Sequence, residues 1–136
     1  MRSAATRWTL AITSVAVFMT AIDNLVVSTA LPSIRAHLGA GIESLEWTVN
    51  AYTLSFAVLL LTGAALGDRF GRRVMLVTGL IVFTGASAAA ALAPSIDALI
   101  AARAIQGAGA AMVMPLTLTI LSEAVQADSR GLALGI

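Results

Sequence analysis

Cysteine and lysine are both absent from this chain, and histidine occurs once, at position 37. Without thiols there is no disulfide framework, no thiolate metal centre and no thiol nucleophile. A metal site would have to be built almost wholly from carboxylates, and none is expected. No glycine-rich phosphate loop, paired catalytic carboxylates or Ser–His–Asp set can be assembled, so neither enzymatic chemistry nor a cofactor is expected. Charge is the scarcest property of all. Only 11% of the 136 residues are charged, against about 25% in soluble domains. Such a chain lacks the side chains to cover a water-facing surface, which excludes an ordinary cytosolic enzyme. Eight arginines face seven acids for a net charge of +1. No basic patch can neutralise a run of phosphates, so no nucleic-acid partner is expected.

Apolar residues fill the gap: they make up 59% of the chain, and the mean hydropathy is +0.94. A span needs about 20 mostly apolar residues to cross roughly 30 Å of hydrocarbon. Four stretches qualify, at about 8–31, 47–66, 74–93 and 98–121. An outer-membrane barrel would show short segments of alternating polarity instead. The fold class is therefore all-α integral membrane, with four transmembrane helices. The apolar stretch 131–136 reads as the start of a fifth.

Arginine placement sets the expected orientation. With the N-terminus cytoplasmic, Arg2, Arg7, Arg69, Arg72, Arg73 and Arg130 lie inside and Arg35 alone lies outside, leaving Arg103 within the fourth span. Trp8 and Trp47 then sit at opposite interfaces. The first apolar run is too long for the core of a cleaved signal peptide, so the first helix is expected to be retained. In the outer connection 32–46, Ile34, Leu38, Ile42 and Leu45 recur at helical spacing and suggest a short interfacial helix, with His37 solvated. Ser95 is placed to cap the fourth helix, with Asp97 in its first turn.

Ionisable groups at membrane depth are costly and by default mark a functional site. Asp23 lies eight residues before Leu31, and Arg103 five residues after Ala98. At 1.5 Å per residue, both sit roughly 8–12 Å below the outer end of their spans. Two readings stay open: each finds its own wet pocket, or both face one cavity, which the short Asp side chain favours. Gln106 shares a helical face with Arg103, and Asn24 and Gln106 are the expected cavity-lining neighbours of the pair. Gly107 and Gly109 are expected to let a neighbouring helix approach closely. Pro115 removes the helical partner of the Ala111 carbonyl, as a packing kink or as a gating hinge.

The connection Gly67-Asp-Arg-Phe-Gly-Arg-Arg73 packs four charges into seven residues. Topology alone accounts for Arg69, Arg72 and Arg73. It does not ask for Asp68 among them, nor for Gly67 and Gly71 bracketing a tight turn. The alternative is a charge relay that holds helix ends in one arrangement and releases them in another.

Three of these motifs together resemble the major facilitator superfamily, in its 14-helix drug:proton antiporter branch. Ile22-Asp-Asn-Leu-Val-Val-Ser-Thr-Ala-Leu-Pro32 resembles the first-helix signature of that branch. Leu66-Gly-Asp-Arg-Phe-Gly-Arg-Arg73 resembles the loop between helices two and three. Leu99-Ile-Ala-Ala-Arg-Ala-Ile-Gln-Gly-Ala-Gly-Ala-Ala111 resembles the fourth-helix signature, and Trp47-Thr-Val-Asn-Ala-Tyr52 the opening of the second span. There are departures: Ala64 stands where the loop motif usually has Gly, with Gly63 one place earlier, and Leu25 and Ser28 replace the usual Thr and Asn.

The resemblance implies part of the N-terminal six-helix bundle of a transporter in a bacterial plasma membrane. It assigns Asp23 and Arg103 to proton coupling, and Gly67, Asp68, Arg69, Gly71, Arg72 and Arg73 to the conformational switch. The implied partners are protons, small apolar or cationic molecules, the lipid bilayer and the remainder of the transporter chain. Two alternatives stay beside multidrug efflux: export of one specific metabolite or antibiotic, and a four-span scaffold that transports nothing.

Overall fold

A computed structural model describes residues 4–124. It contains four helices: α1 (Ala4–Leu38), α2 (Ile42–Phe70), α3 (Arg72–Ala91) and α4 (Ile96–Ala124). All four are long and apolar enough to cross a membrane, and no strand occurs among the described residues. Helices are the expected solution where no water is present to satisfy backbone groups. Serine and threonine hydroxyls follow the same logic by donating back to their own helix: Thr13 to the Thr9 carbonyl at 2.8 Å, Ser28 to Asn24 at 2.8 Å and Thr48 to Ser44 at 3.0 Å.

The connections are shorter than the hydropathy pattern suggests. No separate interfacial helix occupies 32–46. α1 runs on through Pro32 to Leu38, and only Gly39, Ala40 and Gly41 separate it from α2. Proline removes a single i→i−4 bond, here to the Ser28 carbonyl, and the helix continues around that loss. Ile34 and Leu38 thus end one helix while Ile42 and Leu45 begin the next, so their helical spacing belongs to two elements. Gly67 likewise does not bracket a turn. It lies inside α2, and the break before α3 is Gly71 alone, whose φ of +99° suits a residue without Cβ. Ser95 caps α4, its hydroxyl accepting from the Ala98 amide at 3.2 Å, with Asp97 in the first turn. Residues 122–124 continue α4, and the fifth span expected from 131 lies outside the described residues.

α4 is the hub. It packs along α2 and α3 over most of its length, meets α1 over a shorter stretch, and is the most buried of the four. Small residues make this closeness possible. A side chain on Gly107 would strike the Tyr52 carbonyl of α2, and a Cβ on Gly109 would come within 2.7 Å of the Phe83 backbone nitrogen of α3. Ser55 on α2 adds a hydrogen bond to the Ala104 carbonyl at 2.6 Å. α4 continues through Pro115. The Ala111 carbonyl that this proline leaves without a helical donor abuts Gly63, where any side chain would collide with it. That contact gives Gly63 a role at the place where the sequence departs from the loop motif it resembles.

Apolar packing fills the rest. Ala16, Leu76, Val113 and Leu116 join α1, α3 and α4 in one cluster, and Tyr52, Phe83 and Ala110 join α2, α3 and α4 in another. Large apolar side chains such as Phe18, Leu25, Leu61 and Ile81 face outward, as lipid contact requires.

Candidate functional site: a buried ion pair and an exposed one

Arg103 is the largest fully buried side chain among the described residues, at 1% exposure. A guanidinium out of water needs an anion and further acceptors, and α1, α2 and α4 supply them. Its Nη1 donates to Asp23 Oδ2 of α1 at 2.6 Å and to Gln106 Oε1, one turn along α4, at 2.7 Å. Its Nε donates to the Thr48 carbonyl of α2 at 3.3 Å. The guanidinium carbon also lies 4.4 Å from the centroid of the Tyr52 ring, a cation–π contact that gains strength away from water.

Gln106 completes the cluster from the other side. Its Nε2 donates to Asp23 Oδ1 at 2.5 Å and to the Ser87 hydroxyl of α3 at 2.6 Å. Each carboxylate oxygen of Asp23 therefore has one donor, a cation on one side and an amide on the other. Charge-assisted bonds of this kind are short and strong. Asp23 and Arg103 face one another directly, which selects the shared arrangement over two separate pockets.

Asp23 also opens onto a cleft of about 410 Å3 between α1, α3 and α4, with Ser33, His37, Ser87 and Gln106 as its other polar lining. His37 sits exposed towards the far end of α1, its Nδ1 2.8 Å from the Ser33 carbonyl. Asn24 does not share this space. It lines a separate pocket of about 250 Å3 between α1, α2 and α4.

The charged connection makes a second cluster at the opposite end of the helices. Arg72 pairs with Asp68 one turn earlier at 3.3 Å, and with Glu123 near the end of α4. Asp68 and Glu123 are 68% and 60% exposed at the side chain, so water screens both pairs. Arg69 lies over the Phe70 ring at 5.3 Å. Neither Arg69 nor Arg73 forms an ion pair among the described residues. Gly67 supports this end from within, since a side chain there would strike Leu116 of α4.

Sequence reasoning missed Glu123, Ser87 and the contributions of Thr48 and Tyr52. Glu123 carried a usable signal: it ends α4 on the same side as the three-arginine connection. Ser87 carried none, being one small hydroxyl in an alanine-rich run.

The family model described as Major Facilitator Superfamily matches residues 13–136. The chain belongs to that superfamily. Within it, the chain is 51% identical over 105 residues to the cephamycin export protein CmcT of Amycolatopsis lactamdurans, covering 77% of this chain and 22% of that protein. It is 40% identical over 129 residues to the multidrug resistance protein Stp of Mycobacterium tuberculosis, covering 94% of this chain and 24% of Stp. The multidrug efflux pump LfrA of Mycolicibacterium smegmatis is 41% identical over 128 residues, covering 93% and 25%. The chain thus spans about a quarter or less of the length of the curated relatives it matches. Its superfamily and its four membrane-length apolar helices make it an integral membrane protein.

Proposed function

We propose that this chain is the N-terminal part of a proton-coupled multidrug efflux transporter that works by alternating access. Its place would be a bacterial plasma membrane, with the N-terminus cytoplasmic. The observation that carries the reading is the Asp23–Arg103 pair, 2.6 Å across and buried between α1 and α4. Low dielectric favours the neutral form of an acid, and an adjacent cation favours its anion. A carboxyl that gains and loses such a partner as helices shift takes up a proton in one state and releases it in the other. Arg103 serves without losing its own proton, because a guanidinium stays charged in proteins. Asp68, Arg72 and Glu123 supply the companion device: an exposed latch tying the α2–α3 connection to α4 that can open at little cost.

The orientation rests on arginine. Arg7, Arg69, Arg72 and Arg73 lie at the end of the bundle that holds the α1 N-terminus, and Arg35 at the other. Names of relatives favour efflux, and the 51% identity to a cephamycin exporter favours a second reading, export of one antibiotic class. The breadth of compounds moved by the full-length protein separates these two. Nothing in the four-helix geometry speaks for the scaffold reading.

The test is pH-gradient-driven export by full-length Asp23→Asn protein in vesicles. The amide keeps the size of the side chain and removes the titration. Gradient-driven export should disappear while binding of neutral substrates persists. Wild-type rate with unchanged pH dependence would reduce Asp23 to a filler of a wet pocket.

A further inference from the structure

Consecutive residues on a helix point about 100° apart, so Asp23 and Asn24 open onto different neighbours. Asp23 faces the cleft shared with α3 and α4, whereas Asn24 faces the pocket between α1, α2 and α4. The second pocket has a distinct chemistry. Tyr52 and Phe56, one turn apart on α2, hold their rings parallel to within 1° with centroids 6.3 Å apart. Both rings line the pocket, and aromatic surface of this kind accepts an offset-stacked or edge-on aromatic partner. Val17 and Met114 complete the apolar lining, and a thioether adapts readily to ring edges.

The polar groups here ask little of a ligand. The Thr20 hydroxyl donates to the Val17 carbonyl at 2.8 Å, and the Asn24 amide to the Thr20 carbonyl at 3.1 Å. Among the described residues, no acidic or basic side chain lines the pocket. The cation against its wall is Arg103, 4.4 Å from the Tyr52 centroid, so a second cation gains nothing by entering. At about 250 Å3 the pocket is smaller than the roughly 300–1,000 Å3 that holds a whole drug-sized molecule.

We propose that this pocket binds a flat, uncharged aromatic portion of the exported molecule against Tyr52 and Phe56. The word "exported" rests on the efflux reading above; the binding itself does not. Arg103 joins the two spaces, pairing with Asp23 on one side and covering Tyr52 on the other. A ring bound here therefore packs against the Tyr52 side chain that the same guanidinium covers.

The experiment measures equilibrium binding to the full-length transporter in nanodiscs, without any proton gradient. Its probes are a radiolabelled neutral anthraquinone and an aliphatic ketone of equal carbon number. Phe56→Leu should weaken anthraquinone binding about tenfold (~1.4 kcal/mol) and leave the ketone unchanged. Phe56→Tyr, which keeps the ring, should bind both probes as wild type does. Anthraquinone binding that survives Phe56→Leu, or a loss shared equally by both probes, overturns the pocket. Gradient-driven export measured on the same preparations keeps the two readings apart. Ring-selective binding without export sinks the transport reading alone, and export without ring selectivity sinks the pocket alone.

Discussion

Arg103 and Arg72 each hold acidic side chains brought from another helix, but the first does so out of water and the second in it. Arg103 is 1% exposed and its partner Asp23 17%, whereas Asp68 and Glu123 are mostly in solvent. Around Arg103 the pairing is reinforced: Gln106 ties the acid to Ser87, and Tyr52 covers the guanidinium. Around Arg72 there is only the pairing itself. The same residue types therefore give a cluster that is expensive to disturb at one depth and a contact that opens freely at the other. The proposed alternating access calls for both kinds, a site whose charge state matters and a latch whose position matters.

The largest effect should come from leaving the buried acid alone. Arg103→Met strands Asp23 without its cation, and breaking a buried pair from one side costs about 3–5 kcal/mol. Full-length protein carrying this change should melt several degrees lower and export nothing. A melting temperature equal to wild type would show that the site is wetter than its burial indicates, and the contrast with Arg72 would collapse.

Next comes Arg103→Lys, which keeps the charge and loses the planar fork. One ammonium cannot reach Asp23, Gln106 and the Thr48 carbonyl together, so export should fall partially while the protein remains folded. Transport assays at matched membrane abundance check this, and undiminished export would reduce Arg103 to a point charge.

Asp68→Asn probes the exposed cluster from the other direction. Insertion and melting should barely change, because screened pairs add little stability and acidic residues contribute little to topology. Export should nonetheless slow severely. Normal export at equal abundance would leave the three arginines of this connection as topology markers only.

The smallest effect is the response to salt. Raising ionic strength to about 1 M shrinks the screening length to roughly 3 Å, which weakens the Arg72 contacts and leaves the buried pair untouched. Spin labels at the α2 and α4 ends beside Arg72 should report a broader distance distribution at high salt in wild type. In Glu123→Gln the distribution should be broad already, with no further change. An equal response in both proteins would remove Glu123 from the latch.

By itself, the sequence determined the membrane class, the four helices and the residues most worth suspecting. Hydropathy adds up locally, and a backbone in hydrocarbon must pair with itself whatever surrounds it, so no tertiary knowledge was needed there. Asp23 and Arg103 were legible for the same reason: their cost at depth exists in any arrangement, and rise per residue placed them at similar heights. Only the tertiary structure decided who meets whom. It put Ser87 and Tyr52 around the pair, brought Glu123 to Arg72, and sent Asn24 to a different pocket from Gln106. It also divided the pattern at 32–46 between two helix ends joined by three residues. A serine in an alanine run or a glutamate at a helix end is unremarkable along the chain. Its partner is chosen by how closely glycines such as Gly107 and Gly109 let helices approach, and that choice is a property of packed surfaces, which periodicity along one strand of sequence does not contain.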